Sequence, residues 1–178
     1  MEQKRKNKHG VYVGRLNPMH LGHEAVIAKM LEQFGTENSL LVLGSSTASF
    51  SQRHFFSFEE RKEFVRNIFP ELEIIGLPDF PTDKQWLSEL DKIFLAKGFD
   101  PREIVFFGGS REDLAYFFKT DKMCQIFDRF NGTTPIISAT QVRKLLASAE
   151  PVEHLLNPLI ARKVKELFLQ KQKQLKKK

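Results

Sequence analysis

A chain of 178 residues and 20.6 kDa has room for one domain with a sizeable core and little for a second. With 41% hydrophobic residues, 28% charged and 17 Phe, it is neither disordered nor collagenous. The net charge of +6 is carried by the ends: residues 1–10 hold +3 and residues 162–178 hold +7, so the segment between them carries −4. Basic ends of this kind read as solvated tails over 1–9 and 171–178, flanking a single domain over 10–170, and not as a nucleic-acid groove. Cys124 is the single cysteine, which rules out an internal disulfide and a Cys-rich metal site and fits a reducing cytoplasmic setting. The basic start has no apolar stretch of signal-peptide length behind it, and no run approaches the roughly 18 residues of a membrane span.

Val11 to Gly14 reads as a buried strand ending at a glycine, followed by a loop with Pro18. The stripe Val26, Ile27, Met30, Leu31, Phe34 predicts a helix capped at Gly35. Leu40 to Gly44 predicts a second strand. A polar Ser/Thr stretch follows, then a helix opened by the capping box Ser57 and Glu60, with Phe64, Val65, Ile68 and Phe69 on its buried face and Pro70 at its end. Glu73 to Leu77 predicts a third strand, and Thr82 with Gln85 opens a helix that stops at Gly98. Ile104 to Phe107 predicts a fourth strand closed by Gly108 and Gly109, and Glu112 to Lys119 a short helix. Extended pieces are expected over 125–128 and 134–137, and helices over 140–149 and from Pro151 onward. This alternation implies an α/β fold: a doubly wound, Rossmann-like parallel sheet of about five strands with helices on both faces and a C-terminal helical segment. Ligands in such sheets bind at the carboxyl ends of the strands, where the strand order reverses.

Two stretches carry chemistry. GRLNPMHLGH, from Gly14 to His23, falls at the junction of the first strand and first helix, where backbone N–H groups and the helix dipole suit a phosphate. His20 and His23 project together there, Gly22 lets a phosphate approach the backbone, and Arg15 adds a fixed cation; two surface histidines beside a turn is the plainer alternative. Zinc is not indicated, because the order is not HExxH and no third soft ligand is near. ISATQVR, from Ile137 to Arg143, places Ser138, Thr140 and Arg143 at another helix start, although Ser138 with Gln141 is also an ordinary capping box.

HLGH together with ISATQVR resembles the HxGH and ISxTxxR signatures of the nucleotidylyltransferase superfamily. GRLNPMHLGHEAVI, GSS followed by FSFEERKEF, and LPDFPTDKQW resemble blocks of the archaeal-type nicotinamide mononucleotide (NMN) adenylyltransferases, over roughly residues 10 to 145. The resemblance implies transfer of AMP from ATP to NMN, or to nicotinate mononucleotide, giving NAD and pyrophosphate with Mg²⁺ bound mainly through the phosphates. It assigns His20, His23 and Arg143 to catalysis, the histidines at the α-phosphate and Arg143 at the β and γ phosphates, and Arg15, Gly22, Gly108, Gly109, Ser138, Thr140 and Arg143 to ATP. Leu16, Asn17, Arg53, Asp79 and Trp86 fall to the acceptor, with Trp86 as the face on which nicotinamide stacks. Trp86 also continues an apolar helix stripe and reads equally as core, Gly108 and Gly109 as a tight turn, and Arg53 as solvated. Leu16, Asn17 and Met19 depart from the family's usual Phe, Gln and Phe. Other members take phosphopantetheine, FMN or, with CTP, glycerol 3-phosphate, and a non-catalytic nucleotide sensor would keep the same fold. Relatives often carry a Nudix hydrolase as well, for which this length leaves no room. A homo-oligomer is compatible with all of this, and no nucleic-acid or membrane partner is expected.

Overall fold

The computed structural model describes residues 8–127 and 136–175. Strands β1 (His9–Gly14), β2 (Ser39–Gly44), β3 (Glu73–Leu77), β4 (Ile104–Gly108) and β5 (Met123–Ile126) form one parallel sheet in the order β3-β2-β1-β4-β5. The order reverses between β1 and β4, so the crevice of this doubly wound sheet opens at their carboxyl ends.

Strand side chains alternate between two cores. Tyr12, Leu41, Leu43, Val105 and Phe107 face one side, where they meet helices α1 (Leu21–Phe34), α2 (Phe58–Ile68), α5 (Ala139–Ala147) and α6 (Pro158–Leu175). Val11, Leu40, Val42, Ile104 and Phe106 face the other, against α3 (Asp83–Ala96) and α4 (Ala115–Phe118). Burial on both faces is why these strands read as continuous apolar runs. Helix α2 shows the local logic: Ser57 and Glu60 form a reciprocal capping box, and Phe64 and Val65 are fully buried, each such side chain contributing about 2 kcal/mol. Helix α1 ends at Gly35, whose φ of 75° a side chain would resist.

Differences from the expected elements are local. Strand β1 begins at His9 and β5 at Met123; of the piece expected over 134–137, residues 134 and 135 fall outside the described residues, and Ile136 and Ile137 lie in a connection rather than a strand. Helix α4 is shorter than Glu112 to Lys119, because Asp113 accepts from the Gly109 N–H and its own N–H donates to Ser110 Oγ, which makes a turn of that stretch. Helix α6 starts at Pro158, not Pro151: residues 152–156 form a connection that buries Val152, Leu155 and Leu156. Helix α6 also runs past residue 170. Lys171 pairs with Glu60, donates to the Phe55 carbonyl at 3.3 Å and lies 5.6 Å from the Phe50 ring centre, so it is packed and not part of a solvated tail.

Candidate functional site

Each of the first two strands ends in a glycine and then a non-glycine residue near the left-handed region: Leu16 at φ 46° and Ser45 at φ 51°. Such backbone persists only where its surroundings hold it. The Arg15 stem packs over Gly44, its Cγ in ordinary contact range, 3.8 Å, of where a Cβ there would lie. Leu16 is 2% exposed and belongs to the core, and the Asn17–Pro18 bond is cis. The Asn17 amide is taken up by the Phe56 backbone, donating to its carbonyl at 3.1 Å and accepting its N–H at 3.0 Å. The structure therefore gives the side chains of Leu16 and Asn17 packing and clamping roles.

His20 is the N-cap of α1 and only 2% exposed; its ring stacks on His23, with centroids 3.6 Å apart. Tyr12 backs His23 edge-on at 6.3 Å. Of the N–H groups expected to be open at this helix start, that of Leu21 is taken by the Leu155 carbonyl at 3.0 Å, and Asn157 holds Glu24 in the first turn. The C-terminal segment thus closes one side of the α1 N-terminus, which sequence reasoning did not foresee. Gly22 is buried in that same first turn.

The second signature arrives from 126 residues away. Arg143 donates through Nη1 to the Asn17 carbonyl and through Nη2 to Thr140 Oγ1 at 3.3 Å, which brings the start of α5 to the β1–α1 junction. Ser138 caps α5, accepting from the Gln141 N–H at 3.1 Å, so the plainer role is filled. Gly108 ends β4 beside β1; a Cβ there would lie 2.5 Å from Leu114, so packing requires the glycine. The Gly109 N–H is held by Asp113 at 3.2 Å.

Electrostatics set this end of the sheet apart. Arg15 is held below its ordinary pKa by burial and then by Arg53, Arg61 by burial and then Arg15, and Arg143 by burial and then Arg15. Asp79 pulls Arg15 and Arg61 the other way. Guanidiniums remain charged throughout, so the crevice is a cluster of four cations answered by one nearby carboxylate. His54, beside them, is likewise held low by burial and then Arg15. Asp79 accepts from Ser45 Oγ at 2.9 Å, while Arg53 is exposed on the connection after β2.

Trp86 stands in the first turn of α3, half buried, its ring 6.1 Å from those of Tyr116 and Phe117. It packs against the second core while remaining partly exposed, so the core role read from its helix stripe is met. A cavity of about 650 Å³ between α3 and α4 shares Tyr116 with this surround and includes none of the arginines. Sequence reasoning missed Arg61, although 61, 64, 65 and 68 follow the buried stripe of α2.

An α/β sheet with a stacked histidine pair, two helix starts and clustered arginines at its switch point defines a nucleotide-phosphate-binding protein. Residues 11–145 match the cytidylyltransferase-like family, and the chain belongs to it. It is 27% identical to a nicotinamide-nucleotide adenylyltransferase of Thermococcus kodakarensis, over 90% of this chain and 84% of that one, and 26% identical to that of Pyrococcus furiosus with the same coverage. The fold also matches a bifunctional NMN adenylyltransferase/ADP-ribose pyrophosphatase from Francisella tularensis, crystallised with AMP and a manganese ion. The TM-score is 0.72 at 19% identity over 92% of this chain, which spans about half (51%) of that longer protein.

Proposed function

We propose that this chain is an adenylyltransferase that moves AMP from ATP to NMN, or to nicotinate mononucleotide, releasing pyrophosphate and forming NAD or its acid analogue. The carrying observation is the meeting of the His20–His23 pair with Arg15 and Arg143 at the β1–α1 junction. The similarity to two archaeal enzymes over nine-tenths of the chain supports NMN as the acceptor.

A phosphate oxygen of the mononucleotide attacks the α-phosphorus; a new P–O bond forms as the bond to the β-phosphate oxygen breaks, and the electron pair leaves with pyrophosphate. The attacking oxygen is already anionic, so no protein base is needed and catalysis is positioning plus charge stabilisation. His20 and His23 donate to the α-phosphate, and Arg15 and Arg143 hold the β and γ phosphates, with Thr140, Ser138 and the backbone at Gly22, Gly108 and Gly109 completing the ATP side. Trp86 offers its open face to nicotinamide, with Asp79 and Arg53 alongside.

Among the described residues no group of three or more His, Cys, Asp or Glu could hold a metal ion. Mg²⁺ would enter with ATP, held mainly by phosphate oxygens and water. No helix among the described residues is long and apolar enough to cross a membrane, and a cytoplasmic setting is proposed on the single cysteine. Pyrophosphate release with ATP or CTP against NMN, nicotinate mononucleotide, phosphopantetheine, FMN and glycerol 3-phosphate tests the reading. Turnover confined to ATP with a nicotinamide-type mononucleotide is expected; preference for any other pair overturns it.

A further inference from the structure

Arg61 is one of the most buried side chains in the protein, 2% exposed, yet all four of its hydrogen bonds among the described residues end on backbone carbonyls. Nη1 donates to Arg15 at 2.6 Å and Gly44 at 2.9 Å, Nη2 to Ser45 at 3.1 Å, and Nε to Ser57 at 3.3 Å. Three of these carbonyls border the two left-handed residues, Leu16 and Ser45. One guanidinium thus ties together the carboxyl ends of β1 and β2 and the cap of α2, at the points where the backbone is least able to hold itself. Burying a charge without an ion pair is costly, and a stabilising role alone would be met as well by apolar packing.

We infer that Arg61 is a positioning residue for phosphate binding: it fixes the Arg15 and Ser45 backbone so that the Arg15 guanidinium and the Ser45–Asp79 pair face the crevice. Its own charge adds to the field there without touching the ligand. The inference rests on the phosphate-binding reading of the site, and it assigns Arg61 an effect that runs through Arg15. Arg61→Lys keeps the charge but cannot reach four carbonyls with one ammonium.

The test is a double-mutant cycle on the full chain: wild type, Arg15→Ala, Arg61→Lys and the double variant, with ATP and inorganic tripolyphosphate binding measured by calorimetry on confirmed folded protein. Arg61→Lys is expected to weaken both ligands about tenfold in the Arg15 background and about twofold or less once Arg15 is Ala. Additive losses, or wild-type affinity at a lowered melting temperature, would reduce Arg61 to a structural role. If Arg61→Lys does not fold, guanidinium NMR of the wild type decides. Slow Arg61 Nη exchange with and without ATP, beside Arg15 signals that slow only when ATP is bound, supports the inference; fast Arg61 exchange in the free protein overturns it. Tripolyphosphate binding separates this outcome from the choice of acceptor, because binding without NMN turnover would refute the proposed reaction and leave the role of Arg61 standing.

Discussion

His20 shows how one residue serves fold and site together: it caps α1 through its backbone while its buried ring stacks on His23 at the mouth of the crevice. Donors held this firmly pay little reorganisation when charge moves onto the α-phosphate. His20→Ala and His23→Ala are each expected to lower kcat by about 10²-fold, with the helical circular dichroism retained. Wild-type turnover in either would leave the pair as packing at the start of α1. Trp86 calls for a finer measurement, because it is both packed and partly open. Trp86→Ala should raise KM for NMN about tenfold with little change for ATP, and Trp86→Phe should retain most of the affinity. Equal losses toward both substrates together with a collapsed melt would leave the ring as core alone. At this scale chemistry and spacing marked His20, His23 and Arg143 in the sequence, and the fold brings all three to the β1–α1 junction. Leu16 and Asn17 were marked by motif position alone, and spacing did not reveal that the fold buries the leucine and clamps the amide to Phe56.

At the scale of elements, the legible features were those with a local cause. The capping box at Ser57 and the glycine stop after Phe34 each depend on neighbours within four residues. The start of α6 did not, because Leu155 and Leu156 are apolar in a helical rhythm yet are spent on a connection that closes the α1 N-terminus. The end of α6 was obscured by composition: a lysine-rich stretch reads as solvated, but Phe168 stacks on Phe55 at 4.3 Å and Lys171 lies between Glu60 and the Phe50 and Phe56 rings. Helix α6 therefore braces the connection that carries Arg53, His54 and the Phe56 clamp. Lys171→Ala should cost about 1 kcal/mol, lowering Tm by about 2 to 4 °C, and raise KM for ATP more than removal of residues 172–178 does. A truncation as damaging as the substitution would move the brace beyond Lys171.

At the scale of the whole molecule, charge separates into basic ends and an acidic middle in which Arg15, Arg53, Arg61 and Arg143 gather at the carboxyl end of the sheet, and two histidines report on that layout. His9 is held below its ordinary pKa by burial, with Glu103 opposing and Lys8 assisting, and its ring lies 3.8 Å from Phe99. His54 is held low by burial, then Arg15, Arg53 and Arg61, with Asp79 opposing. The unfolded chain takes up these protons near pH 6.5, while the folded chain resists them until lower pH. Between those values the unfolded state binds more protons, so stability falls as pH drops from about 7.5 toward 5.5, above the range where carboxylates titrate. Melting curves across that window should slope downward toward acid, and His9→Gln and His54→Gln should each flatten part of the slope. ATP separates the two residues. Its phosphates would offset the arginine cluster facing His54 and raise that pKa, leaving His9 in its distant stack with Phe99 unaffected. Tm should therefore gain more from saturating ATP at pH 6 than at pH 8, with proton uptake on binding, and His54→Gln should reduce this difference while His9→Gln preserves it. An ATP effect independent of pH in the wild type would mean that the phosphates do not lie against the Arg15, Arg53 and Arg61 cluster.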